Sequence, residues 1–103
     1  MAALAGSSRL FVYGTLRAGH VAHGMLQGAR FLGARGAPGF RLVDLGEYPA
    51  IVPGEGTVAG ELYEVDDATL EAIDQYEGHP TLFERVAILL DDGTTALAYR
   101  RAG

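Results

Sequence analysis

Fifteen of the 103 residues are glycine, about twice the usual ~7%, and a chain punctuated this often is predicted to consist of short strands joined by tight turns. The β-favouring runs fall between the breaks. Residues 9–13 form a first strand stopped by Gly14, residues 28–36 a second and 40–44 a third, with a turn at 36–39. Residues 49–53 lie between two prolines and read as an edge segment, and Gly54-Glu55-Gly56 turns the chain into the longest run, 57–65. Alternation along that run puts Val58, Gly60 and Leu62 on one side and Ala59, Glu61, Tyr63 and Val65 on the other. The runs 83–90 and 95–100 flank Asp91-Asp92-Gly93, whose Asp-Gly pair signals a hairpin. Between the 57–65 and 83–90 runs, residues 68–77 read as a helix, with Asp66 or Asp67 as N-cap, Gly78 closing the end and Pro80 beyond. Residues 20–27 carry a short helical spacing of Val21, Ala22, Met25 and Leu26, weakened by Gly24. The sum is an α+β chain of about six or seven short strands and one or two helices, wound as a barrel or strongly curled sheet.

With 49% apolar residues in 103, the chain suffices for one core, so a single domain over 1–103 is expected, with residues 1–8 frayed. Those first residues resemble neither a leader peptide nor a membrane span, and a soluble, cytoplasmic protein is expected. There is no cysteine, which removes thiol nucleophiles, disulfides and thiolate metal ligation. Thirteen acidic against eight basic residues give a net charge of -5, and the arginines are scattered, which argues against nucleic acid as a partner.

In the 68–77 helix, Leu70, Ile73 and Glu77 share a face, while Glu71, Asp74 and Gln75 lie off it. Glu77 therefore sits on the buried stripe. It also occupies the last turn, where the helix dipole disfavours an anion by roughly 0.3–1 kcal/mol. Burial and dipole together predict a carboxyl pKa raised towards neutrality, as proton transfer at cellular pH requires. The competing arrangement is a glutamate that reaches to the surface or pairs with Arg85; position alone does not separate the two. Asp44, Glu47, Glu61 and Glu64 are the other carboxylates near apolar runs, and mid-strand Glu61 is the main competitor.

Tyr13-Gly14-Thr15-Leu16 ends the first strand in a glycine turn whose successive N–H groups can form a nest for a carboxylate or oxyanion, although a plain turn has the same sequence. Neither nucleotide-binding glycine motif is present. His20 and His23 lack a third ligand, so no metal site is expected and both are assigned to surface or packing roles. His79 is placed to cap helix carbonyls. Ser7 and Ser8 offer no credible serine nucleophile.

Taken in order, F-V-Y-G-T-L-R (11–17), E-Y-P (47–49), G-T-V-A-G-E-L-Y-E-V-D (56–66) and L-E-A-I-D-Q-Y-E-G-H-P (70–80), followed by Phe83 and Arg85, resemble the gamma-glutamylcyclotransferase-like family over nearly the whole chain. The resemblance implies a small mixed β-barrel flanked by helices, with a cavity between the Y-G-T-L loop and the D-x-x-E-G segment. It implies a cofactor-free reaction on a small gamma-glutamyl substrate, in which the α-amine attacks the γ-carbonyl and releases 5-oxoproline and an amine. Glu77 takes the family's acid/base position. Tyr13, Gly14, Thr15 and Leu16 take the substrate-holding loop, and Tyr48, Pro49, Phe83 and Tyr99 complete the binding site. Phe83 departs from the tyrosine that several relatives carry, which loses any hydroxyl contact there. Two other readings fit the same resemblance: a non-catalytic module binding a small carboxylated ligand, and removal of a gamma-glutamyl protecting group from a biosynthetic intermediate, including one held on a carrier protein. The leaving amine and the oligomeric state are not readable from these residues.

Overall fold

The structure, a computed structural model, describes residues 7–13, 23–44 and 49–101. Its strands are β1 (Ser7–Val12), β2 (Arg30–Asp44), β3 (Pro49–Asp66), β4 (Phe83–Leu89) and β5 (Thr95–Arg101), with one helix, α1 (Asp67–Glu77), and a 3₁₀ turn at His23–Leu26. The five strands form one sheet in the order β2-β3-β1-β5-β4. β1 runs antiparallel to β3 and parallel to β5, and the other pairs are antiparallel. The sheet curls until its ends meet: the Asp91 N–H donates to the Gly36 carbonyl at 2.9 Å, and Arg35 pairs with Asp92 at 2.7 Å. The α+β class and the curled, barrel-like sheet agree with the sequence reading. Among the described residues the strands number five rather than six or seven, because the two expected breaks face each other across one irregularity in the β2–β3 pairing and neither ends its strand. Residues 36–39 stay in β2, with Ala37 opposite Val58 and a register shift between Pro38 and Phe40, so ladder hydrogen bonds override the local turn preference. Likewise Gly54-Glu55-Gly56 continues β3, where the expected turn would have ended the edge segment. The expected helix at 20–27 is only the 3₁₀ turn within the described residues.

Central β1 is buried on both faces. Leu10 and Val12 pack with Tyr63, Val65, Phe83 and Tyr99 under the helix residues Leu70 and Ile73. Phe11 and Tyr13 face the barrel interior with Ile51, Val58, Leu62, Ile88 and Leu90. The faces assigned to Val58 and Leu62, and to Tyr63 and Val65, thus separate as alternation requires. Gly60 lets β3 come this close to β1, since a Cβ there would stand 2.4 Å from the Val12 carbonyl oxygen and 2.6 Å from the Phe11 ring.

The helix is fixed at both ends by its own sequence. The Thr69 N–H donates to the Asp66 carboxylate at 2.7 Å, one of the first-turn donors left without a partner inside the helix. Gly78, in the left-handed region at φ 71, closes the other end: its N–H reaches Gln75 and the next N–H, from His79, reaches the Asp74 carbonyl at 2.9 Å. Ile73 is fully buried, and a buried side chain of this size contributes about 1.5–3 kcal/mol. Among the described residues no helix is long and apolar enough to cross a membrane.

Candidate active site

Four elements converge where β1 ends. The Tyr13 phenol, buried at the end of β1, donates to the Tyr99 carbonyl on β5 at 2.5 Å and accepts a hydrogen bond from the backbone of Ile51 near the start of β3. Glu77, at the last turn of α1, is close enough for its charge to act on that phenol. Burial raises the Tyr13 pKa; the Ile51 bond opposes this and the Glu77 charge adds to it. The Glu77 carboxyl is half-buried, and burial pushes its pKa up to about 7. A carboxyl in this state can both accept and give a proton near neutral pH.

Arg85 pairs with Asp74 and not with Glu77. Its guanidinium holds Asp74 at 2.5 Å, so the ion pair is made one helical turn before Glu77. The other Asp74 oxygen accepts the Tyr99 hydroxyl at 2.5 Å, and burial together with that carboxylate raises the Tyr99 pKa. The backbone N–H of Arg85 donates to His79 Nδ1 at 3.0 Å. His79 therefore meets the helix carbonyls through its own N–H, while its ring turns to β4.

Of the other expected site residues, Phe83 is buried beside Ile73 and Tyr99, and Pro49 begins β3 two residues before Ile51, half-buried. Gly14, Thr15, Leu16 and Tyr48 lie outside the described residues, as do His20 and Glu47. Glu61, the competing carboxylate, is half-buried opposite Val12 and accepts the Tyr63 hydroxyl at 3.0 Å. Burial, then that bond and the carboxylate's charge, push the Tyr63 pKa up to about 12. Sequence reasoning missed Ile51 and Asp74. Ile51 carries no signal, since its contact depends on strand order. Asp74 had one: it opens the D-x-x-E-G segment, but helical spacing set it off the buried face. Among the described residues, no three His, Asp or Glu side chains cluster as metal ligands.

The profile of the family described as "Gamma-glutamyl cyclotransferase, AIG2-like" matches residues 10–102. The chain belongs to this family. The gamma-glutamylcyclotransferase family protein YtfP of Escherichia coli is 44% identical over 66 residues, which are 64% of this chain and 58% of that protein. A Vibrio cholerae relative is 43% identical over 86 residues, 82% of this chain and 75% of its own. Among solved structures, the AIG2-like protein of Mus musculus superposes with a TM-score of 0.85 at 32% identity, covering 93% of this chain and 78% of that one. The fold is thus the AIG2-like gamma-glutamylcyclotransferase fold, as the resemblance implied.

Proposed function

We propose that this gamma-glutamylcyclotransferase-like chain cleaves gamma-glutamyl amides by cyclising the glutamyl group. The substrate's α-amine attacks its own γ-carbonyl, the lactam C–N bond forms, the bond to the leaving nitrogen breaks, and 5-oxoproline and an amine depart. Glu77 takes the proton released by the attacking nitrogen and returns it to the leaving one, so no net proton is consumed and no enzyme nucleophile is needed. Backbone N–H groups of Gly14, Thr15 and Leu16 hold the substrate carboxylate or the developing oxyanion, where one donor is worth about 10²–10³ in rate. Tyr13, Tyr48, Pro49, Phe83 and Tyr99 shape the pocket around the folded substrate. Holding amine and carbonyl in an attack geometry contributes roughly 7–11 kcal/mol.

The observation that carries this reading is the half-buried Glu77 carboxyl, brought near neutrality by burial, beside the buried Tyr13 phenol. The test is a panel of gamma-glutamyl amines and dipeptides assayed for 5-oxoproline with wild type and Glu77→Gln. Wild type turns over at least one member and the variant loses at least 100-fold in rate. Equal rates remove Glu77 as the acid/base, and thermal stabilisation by panel members without turnover marks a binding module instead.

A further inference from the structure

The end of α1 is held by more than its cap. Asp74 presents one carboxylate oxygen to the Tyr99 hydroxyl and the other to Arg85, both at 2.5 Å, while its carbonyl takes the His79 N–H. Tyr99 reaches both ways: its hydroxyl goes to Asp74 on the helix, and its carbonyl receives the Tyr13 phenol. One residue of β5 thereby fixes the helix turn that bears Glu77 relative to the end of β1. Arg85 completes the clasp from β4, through its side chain to Asp74 and its N–H to His79 Nδ1.

We propose that Tyr99, Asp74 and Arg85 are positioning residues that set the placement of the Glu77 carboxyl against Tyr13, and that the Asp74–Arg85 pair keeps this helix end electrically balanced. The role in turnover rests on Glu77 being the acid/base. Asp74 and Glu77 stand three apart in one helix, so their side chains are neighbours about 5–6 Å apart at Cβ. Removing one member of the Asp74–Arg85 pair leaves the other's charge uncompensated beside the turn that bears Glu77. The titratable groups gathered at this end are Asp74 on α1, His79 in the turn that follows, Arg85 on β4, Tyr99 on β5 and Tyr13 after β1. Replacing Asp74 leaves a cation and favours ionised Glu77; replacing Arg85 leaves an anion and disfavours it.

The experiment follows the Glu77 carboxyl by ¹³C NMR titration, together with kcat and KM on the best panel substrate, in wild type, Asp74→Asn, Arg85→Met, Tyr99→Phe and the double variant Asp74→Asn/Arg85→Met. The Glu77 midpoint falls in Asp74→Asn, rises in Arg85→Met and returns towards wild type in the double variant. All four lose about 10-fold or more in kcat with KM changed less than threefold, and Tyr99→Phe, which removes a single oxygen, does so while remaining folded. Midpoints that do not move in opposite directions, or a loss confined to KM, overturn the proposal. The titration needs no substrate, so it tests the charge balance at this helix end even if Glu77→Gln proves fully active and the acid/base assignment falls.

Discussion

A buried acid that must ionise to work destabilises the fold that holds it, and Glu77→Gln makes this measurable. In the unfolded chain the carboxyl titrates near its ordinary 4.5, whereas in the fold burial moves it to about 7. Between these values the folded protein still binds the proton that the unfolded chain has released, so stability falls as pH rises through the window and the loss levels off above 7. The interval from 4.5 to about 7, at 1.36 kcal/mol per pH unit, is about 3 kcal/mol. The carboxyl keeps some contact with water, which screens its charge, so the expected loss is about 1–3 kcal/mol. Glutamine fills the same space without ionising and escapes it. For a domain of this size 1 kcal/mol moves Tm by about 4–8 °C, so the Tm advantage of Glu77→Gln grows by on the order of 10 °C between pH 4.5 and pH 8.5. Thermal unfolding of both proteins by circular dichroism across that range is the assay, and taking the difference cancels every other titrating group. A Tm difference that stays constant with pH refutes the desolvated carboxyl.

Two further outcomes follow from the same geometry. Because the base form of Glu77 is required, kcat/KM on a gamma-glutamyl amine rises as pH increases through about 7; a rate already flat from pH 5 upward contradicts that requirement. Gly60→Ala drives a methyl into the Val12 carbonyl and the Phe11 ring, and overpacking of this kind costs about 1–3 kcal/mol, to be read as a lower midpoint in urea unfolding with the slope unchanged.

Much of this molecule is written locally. Asp66 and Gly78 delimit α1, Asp-Gly at 92–93 turns the β4–β5 hairpin, and the spacing Leu70, Ile73, Glu77 sets a carboxylate on the buried stripe. Each of these depends on interactions within a helical turn or a hairpin, which operate before the rest of the chain arrives. The tertiary structure alone decided that β2 and β3 run on through residues 36–39 and 54–56, because the pairing on either side, of 36–38 with 57–59 and of 40–44 with 49–53, outweighs the glycine and proline preferences between. It also decided which acid Arg85 holds, and that a phenol at position 13 reaches a carbonyl 86 residues away. Such contacts depend on strand order and the curl of the sheet, and no short stretch of sequence contains both partners.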